Sequence, residues 1–277
     1  MNSAPPTDAP PGAAVTAEGF GVRGPRGWAF RDVDLTAPPG ALVAVEGPSG
    51  SGRTCLLLAL TGRMRAGAGR AEVAGLPLSG TGRGAHRRNM AAVRRISALA
   101  HVPGVAELDT SLTVAEHLRE RALLRRRFGG PLRGLLRPRA ERTAAAGARV
   151  EAALAAAGLD PAALPKGDRT AVRDLERLES LRLSVALALI GGPRLLAVDD
   201  TDLKLSDAER TRAWALLRSV ADAGTTVLAV CGTAPPEGTV VVSTARREAV
   251  RDTGEEAVRD TGEEEGPADA LAETGRA

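Results

Sequence analysis

The chain has no tyrosine, and only three phenylalanines and two tryptophans among 277 residues. In the arginine-rich stretch from Arg119 to Arg142 Phe128 is the only aromatic, so base stacking has little to work with, which argues against a nucleic-acid partner. Two cysteines, Cys55 and Cys231, exclude a disulfide scaffold and fit a reducing, cytoplasmic setting. The three histidines, His86, His101 and His117, lack metal-ligand spacing. No apolar run reaches the roughly 18 residues that a membrane-spanning helix needs. The opening Met1–Gly12 has neither the basic start nor the apolar core of a secretory signal. Lysine occurs only at Lys166 and Lys204, so the other 35 of the 37 basic residues are arginine. This bias is the pattern of a G+C-rich coding sequence.

The hydrophobic fraction of 43% is enough for a sizeable core. The formal charge of +3 is unevenly spread. From Glu248 onward ten acids face three arginines, a net of −7, which leaves +10 on the rest. That tail holds a perfect tandem octapeptide, Glu248–Glu255 and Glu256–Glu263, too few copies for a solenoid. Composition therefore predicts three parts: a disordered Pro/Ala-rich start over 1–14, a globular body over 15–245, and an acidic disordered tail over 246–277. Between Arg119 and Arg142 nine arginines meet two glutamates. Such a segment suits either a solvated helical face or contact with anionic headgroups or an acidic loop of a membrane partner.

The chemistry centres on Ala41–Thr54. Ala41–Val45 is a short apolar run that reads as a buried strand, and Cys55–Leu60 reads as a helix. Between them Gly47, Pro48, Ser49, Gly50, Ser51 and Gly52 make a glycine-rich bend. Strand, bend and helix together present backbone N–H groups to a phosphate. The spacing is that of G-x-x-x-x-G-K-[ST], with Arg53 in the lysine position and Thr54 keeping the hydroxyl that ligates Mg²⁺. Arginine is larger and planar. Arg53 either reaches the β/γ-oxygens with altered geometry or turns away to solvent.

Around this stretch strands and helices alternate. Val15–Val22 is predicted as an edge strand, Trp28–Leu35 as a second, and Ala71–Leu78 as a third before a polar Gly/Arg loop. Ile96–Ala100 is a short strand. Thr113 and Glu116 form a capping box for a helix to Leu124. Helices follow over Ala144–Ala157 and Leu175–Ile190, then a strand, Arg194–Asp200, ending in two carboxylates. A capped helix from Ser206 and strands at Thr225–Val230 and Thr239–Ser243 complete the series. The alternation predicts an α/β fold: a mainly parallel sheet with helices on both faces, flanking antiparallel β elements and a helical subdomain over about 105–185.

A phosphate loop followed by an apolar strand ending in aspartate is the two-part site of nucleoside triphosphatases. The sequence resembles the ATP-binding-cassette (ABC) ATPases of membrane transporters over about 15–243. The residues that carry the resemblance are Asp32–Gly52, Ser111–Leu118 and Ala188–Asp200, and their order argues against another phosphate-loop class such as a small kinase. The resemblance implies ATP held by Gly47–Cys55, Mg²⁺ held by Thr54 and Asp199, and Asp200 as the catalytic carboxylate, one methylene shorter than the family's glutamate. It further implies a separate transmembrane permease subunit and a second nucleotide-binding domain, in a homo- or heterodimer at the cytoplasmic face of the membrane.

Three family motifs depart from pattern. Leu175-Glu-Arg-Leu-Glu179 stands where Leu-Ser-Gly-Gly-Gln belongs, Ala100–Gly104 contains no glutamine, and Cys231-Gly-Thr233 replaces the switch histidine. These losses argue against efficient hydrolysis, so a non-hydrolysing regulatory or assembly module is the alternative. Trp28 is the candidate for stacking adenine in place of tyrosine, against a core or edge role.

Overall fold

The computed structural model describes residues 12–25, 27–128, 138–234 and 238–245. The expected disorder of residues 1–11 and the acidic repeat tail therefore lie outside the described residues, as do the side chains of Arg126–Phe128.

Strands of near-continuous Val, Leu and Ala build the centre. β3 (Leu42–Glu46), β6 (Ser97–Leu99), β7 (Leu195–Val198), β8 (Thr226–Val230) and β9 (Val240–Ser243) form one parallel sheet in the order β6-β7-β8-β3-β9. Such runs suit strands buried on both faces, and alternate residues do go to opposite cores. Val43, Val45, Ala197 and Leu228 face one, with Leu56, Leu57 and Leu60 of α1 (Arg53–Leu60). Leu42, Leu196, Val198 and Val227 face the other, with Leu178, Leu181 and Val185 of α5 (Arg177–Leu189) and Leu217 of α6 (Asp207–Asp222).

The first core is closed by an antiparallel sheet. It comprises β1 (Val15–Gly24), β2 (Gly27–Ala37), β4 (Ala68–Val73) and β5 (Leu76–Pro77), in the order β2-β1-β4-β5. β1 is thus an inner strand flanked on both sides, not the expected edge. Register shifts at Ala17/Phe20 and Glu18/Gly21 break its alternation and hid its two-sided pairing from the sequence. Gly12 and Ala13, counted with the Pro/Ala-rich start, dock on the parallel sheet: the Ala13 amide donates to Arg194 O and the Thr226 hydroxyl to Ala13 O.

The polar segment after Leu78 is not a loop beyond Gly82, because α2 (Arg83–Ile96) follows. Only Met90 and Val93 of that helix are buried, three residues apart. An apolar stripe that narrow among arginines carries little helical signal.

α3 (Val114–Phe128), α4 (Arg139–Ala156) and three 3₁₀ turns, Pro161–Ala163, Gly167–Arg169 and Val172–Asp174, form the helical part with α5. Val114, Leu118, Ala153, Leu159 and Leu183 pack together there. The Glu116 carboxylate accepts the Thr113 amide and hydroxyl at 2.8 Å, the capping box read from the sequence. Ser206 and Glu209 cap α6 in the same way.

Leu57 is fully buried where α1 meets both sheets. Leu57→Ala is expected to cost about 2–5 kcal/mol, read as a lower urea midpoint at constant m-value.

Candidate nucleotide site

Parallel strands deliver their C-terminal ends to one edge of a sheet, where ligands of such sheets bind. Here β3 ends at Glu46, β7 at Val198 and β8 at Val230, so 47–54, 199–203 and 231–234 share that edge. The chain leaves β3 through Gly47 at φ +151°, and a Cβ there would stand 2.5 Å from both Ser51 Oγ and Thr244 Oγ1. Those two hydroxyls bond each other at 2.6 Å, which ties the loop to the end of β9. Gly52 enters α1 at φ +86°, with Ala29 O where a Cβ would go. No side chain caps α1, and its first turn holds no carboxylate. Its N-terminal amides are therefore ready for an anion. Pro48, Ser49 and Gly50 are exposed at the tip, and Cys55 is half-buried behind it.

Asp199 leaves β7 into the interior, 2% exposed. Thr54 Oγ1 donates to its Oδ2 at 2.5 Å, and the Asp200 amide donates to its Oδ1 at 2.9 Å. Burial pushes the Asp199 carboxyl up, against the pull of these two hydrogen bonds. The pair fits Mg²⁺: hydroxyl and carboxylate are hard oxygen donors on one side of the loop. Adjacent octahedral oxygens around Mg²⁺ sit about 3 Å apart, so opening the contact by about half an ångström would admit the ion. Among the described residues no group of three His, Cys, Asp or Glu converges on a metal. Mg²⁺ commonly takes one or two protein ligands and completes its shell with phosphate and water.

Asp200 stands next to this pair in left-handed backbone, φ +48°. Arg177 holds the turn from the other side, donating to Asp200 O and Leu203 O, both at 3.3 Å. Arg177 belongs to the Leu175–Glu179 segment, so that segment is bonded to its own chain's turn. At the same segment the Glu179 carboxylate accepts the Glu176 amide at 2.8 Å. The α5 N-terminus is therefore capped by carboxylate, unlike α1.

Arg53 takes neither course expected of it. Its Nη1 donates to Cys231 O at 2.7 Å and ties the first turn of α1 to the end of β8. The rest of its five-donor fork remains available to phosphate. The turn after β8 is pinned further by Asp202, which accepts the Gly232 amide at 2.7 Å, and by Glu46, which accepts the Ala234 amide.

Reading motifs alone missed two neighbours of the site. His101 follows β6, and its carbonyl accepts the Asp199 amide at 2.7 Å. Burial and then Arg177 lower its imidazole, while Asp200, Glu107 and Asp199 oppose them. Arg177 is the other. Its role depends on a bond across the fold, for which the sequence holds no local signal. Trp28 lies on the outer strand β2, 38% exposed, with the Arg23 guanidinium 5.9 Å from its ring centroid.

Asp199→Asn is isosteric, since its amide can face Thr54 and its oxygen the Asp200 amide. A carboxyl raised by burial costs stability above its folded pKa and nothing below the unfolded value. The variant is therefore expected to melt no lower than the parent at pH 7, with any advantage lost as the pH falls to 3, checked by thermal denaturation. Cys231 is fully buried, and burial first, then Asp202 and Glu46, pushes its thiol up to about 12. The thiolate, which is the reactive form, is therefore scarce at pH 8. Iodoacetamide should leave Cys231 unmodified in the native chain and label it in urea, read by peptide mass spectrometry.

The family model described as ABC transporter matches residues 30–202. The putative ABC transporter ATP-binding protein of Streptomyces avermitilis is 31% identical over 79% of this chain and 75% of its own length. The ATP-binding cassette sub-family A member 7 of Rattus norvegicus is 29% identical over 81% of this chain, which spans only 9% of that protein. Among solved structures, an ATP-binding cassette described as a dimer bound to ADP and Pi superposes with a TM-score of 0.59. It shares 19% identity, over 79% of this chain and 88% of that one. That likeness shows the fold. Together with the phosphate loop and the strand-end aspartates, the family match over most of the body leaves one conclusion: this chain belongs to the ABC transporter family as an ATP-binding cassette.

Proposed function

We propose that this cassette, spanning 15–245 with a helical subdomain over about 105–185, binds Mg-ATP at Gly47–Cys55 and couples nucleotide state to a separate transmembrane permease. The observation that carries the reading is the 2.5 Å contact between Thr54, in the first turn of α1, and Asp199, just after β7, 145 residues apart. Nothing in packing requires a hydroxyl and a buried carboxylate to meet beside an uncapped helix N-terminus, whereas Mg²⁺ with a phosphate does. In this reading the loop amides and the free part of the Arg53 fork hold the phosphates. Thr54 and Asp199 hold Mg²⁺, which neutralises phosphate charge when bound. Asp200 orients the attacking water and accepts its proton. Among the described residues no helix is long and apolar enough to cross a membrane, so in this reading the translocation path lies in another segment or subunit. The dimeric cassette bound to ADP and Pi supports pairing with a second nucleotide-binding domain, which this reading places at the cytoplasmic face of the membrane.

Two observations favour the second reading, a non-hydrolysing regulatory module. Arg53 spends part of its fork on Cys231 O. The α5 N-terminus, which the family turns to the opposite subunit's γ-phosphate, carries Glu176 and Glu179 instead, and like charge repels phosphate.

Titration calorimetry with Mg-ATP tests the first reading. Micromolar binding that a Thr54→Ala, Asp199→Ala double variant abolishes is the expected result, and no heat up to millimolar ATP would sink it and leave the regulatory module, which binds nucleotide weakly or not at all. Lysine has no second arm for Cys231 O. Arg53→Lys is therefore expected to tighten binding by about tenfold, or 1.4 kcal/mol. Turnover by Arg53→Lys, Asp200→Glu above the parent's would favour the hydrolytic reading.

A further inference from the structure

The turn that follows β7 begins and ends in left-handed backbone, Asp200 at φ +48° and Lys204 at φ +59°. Residues with a Cβ seldom hold that conformation unless their surroundings fix it. The middle of the turn is fixed to β8. The Thr201 amide and hydroxyl donate to Val230 O at 3.1 and 2.6 Å, and Asp202 accepts the Gly232 amide. Its ends are fixed to α5. Arg177 donates through Nη2 to Asp200 O and through Nε to Leu203 O, so one guanidinium spans the two carbonyls next to the left-handed residues. The family's Leu-Ser-Gly-Gly-Gln pattern has glycine in this place, and glycine has no side chain to make either bond.

Arg177 does not pair with the Asp200 carboxylate itself. Among the described residues that carboxylate has no hydrogen bond and no ion pair, while its own amide and carbonyl are both engaged. A guanidinium placed on the carboxylate would favour its charged form and weaken it as a proton acceptor. Bonded to the carbonyl instead, Arg177 holds the residue and leaves its carboxylate open to water. The neighbouring Asp199 is used differently, with both oxygens accepting hydrogen bonds.

We propose that Arg177 is a positioning residue for this chain's own site: by clamping both ends of the 200–203 turn to α5, it sets the Asp200 carboxylate for the water that attacks the γ-phosphate. The inference rests on the hydrolytic reading above and deepens it, since the support for Asp200 comes from the same chain. In the family this segment serves the opposite subunit's γ-phosphate. Here its arginine serves the turn of its own chain.

The test uses the full chain and titration calorimetry with Mg-ADP, with fluoroaluminate standing in for the transferring phosphoryl group. Fluoroaluminate should tighten Mg-ADP binding by the parent at least about tenfold, as transition-state analogues do. Arg177→Ala should lose most of that gain, a drop of about tenfold. Its affinity for Mg-ATP should stay within about twofold of the parent's, because both Arg177 bonds lie outside the phosphate loop. Arg177→Lys keeps a cationic donor that can serve one carbonyl, and should recover part of the gain. An Asp200→Ala background separates positioning from general support of the fold. If Arg177 acts through Asp200, adding Arg177→Ala there should change the gain by less than about twofold. In the nucleotide-free chain the Leu203 amide, which donates to Asp200 O at 3.3 Å, should exchange its hydrogen several-fold faster in Arg177→Ala. A full fluoroaluminate gain in Arg177→Ala, an equal further loss in the Asp200→Ala background, or unchanged Leu203 exchange would each overturn the proposal. A parent that binds Mg-ATP but gains nothing from fluoroaluminate overturns it too, and leaves the nucleotide site standing. A parent that binds no Mg-ATP sinks the nucleotide reading, and the positioning role goes with it.

Discussion

A carboxylate buried at the end of an apolar strand is the constraint on which the site depends. Asp199 follows four fully buried residues and is itself 2% exposed. Stranding that charge in a low-dielectric interior would cost several kcal/mol, so the surroundings are arranged to meet it. Thr54 comes from the first turn of α1 and the Asp200 amide from the left-handed turn that follows. Neither would be in place without β3 and β7 lying one strand apart, with β8 between them. The strand order, the entry of α1 through Gly52 and the strain at Asp200 thus answer to one group.

The strands alone do not fix the loops around that group. Two guanidiniums do part of it. Arg53 spans from α1 to the end of β8, and Arg177 spans from the start of α5 to the turn after β7. Each donates to carbonyls that no strand partner satisfies. The loop edge is therefore braced from both sides of Asp199. A phosphate taken by the rest of the Arg53 fork would be linked through the same guanidinium to Cys231 O at the end of β8.

Much of this was legible in the sequence. Runs such as Leu195–Val198 have one reading once a parallel sheet is in view, and Gly47, Gly50 and Gly52 stand at motif spacing that fixes strand, bend and helix together. The capping boxes at Thr113 and Ser206 are local chemistry and were readable for that reason. The register shifts of β1 disguise an inner strand as an edge, and the two buried residues of α2 do not make a periodic stripe that tells helix from loop. The partners of Arg53 and Arg177 were not legible at all. A side chain with five donors can serve any carbonyl within reach, and which one it serves is decided by tertiary approach over 178 and 23 residues of sequence.

The two helix N-termini beside the site now differ in kind. α1 begins at a glycine with no capping side chain and no acid in its first turn, so its amides seek an external anion. α5 begins with Glu176, and Glu179 closes back onto it, so its amides and dipole are met from within. A phosphate brought near both would be drawn to the first and repelled by the second. A subunit pairing across α5, as the family pattern implies, would meet carboxylate where that pattern offers hydroxyl and bare glycine. The start of α1 thus offers bare amides to an anion, and the start of α5 offers carboxylate.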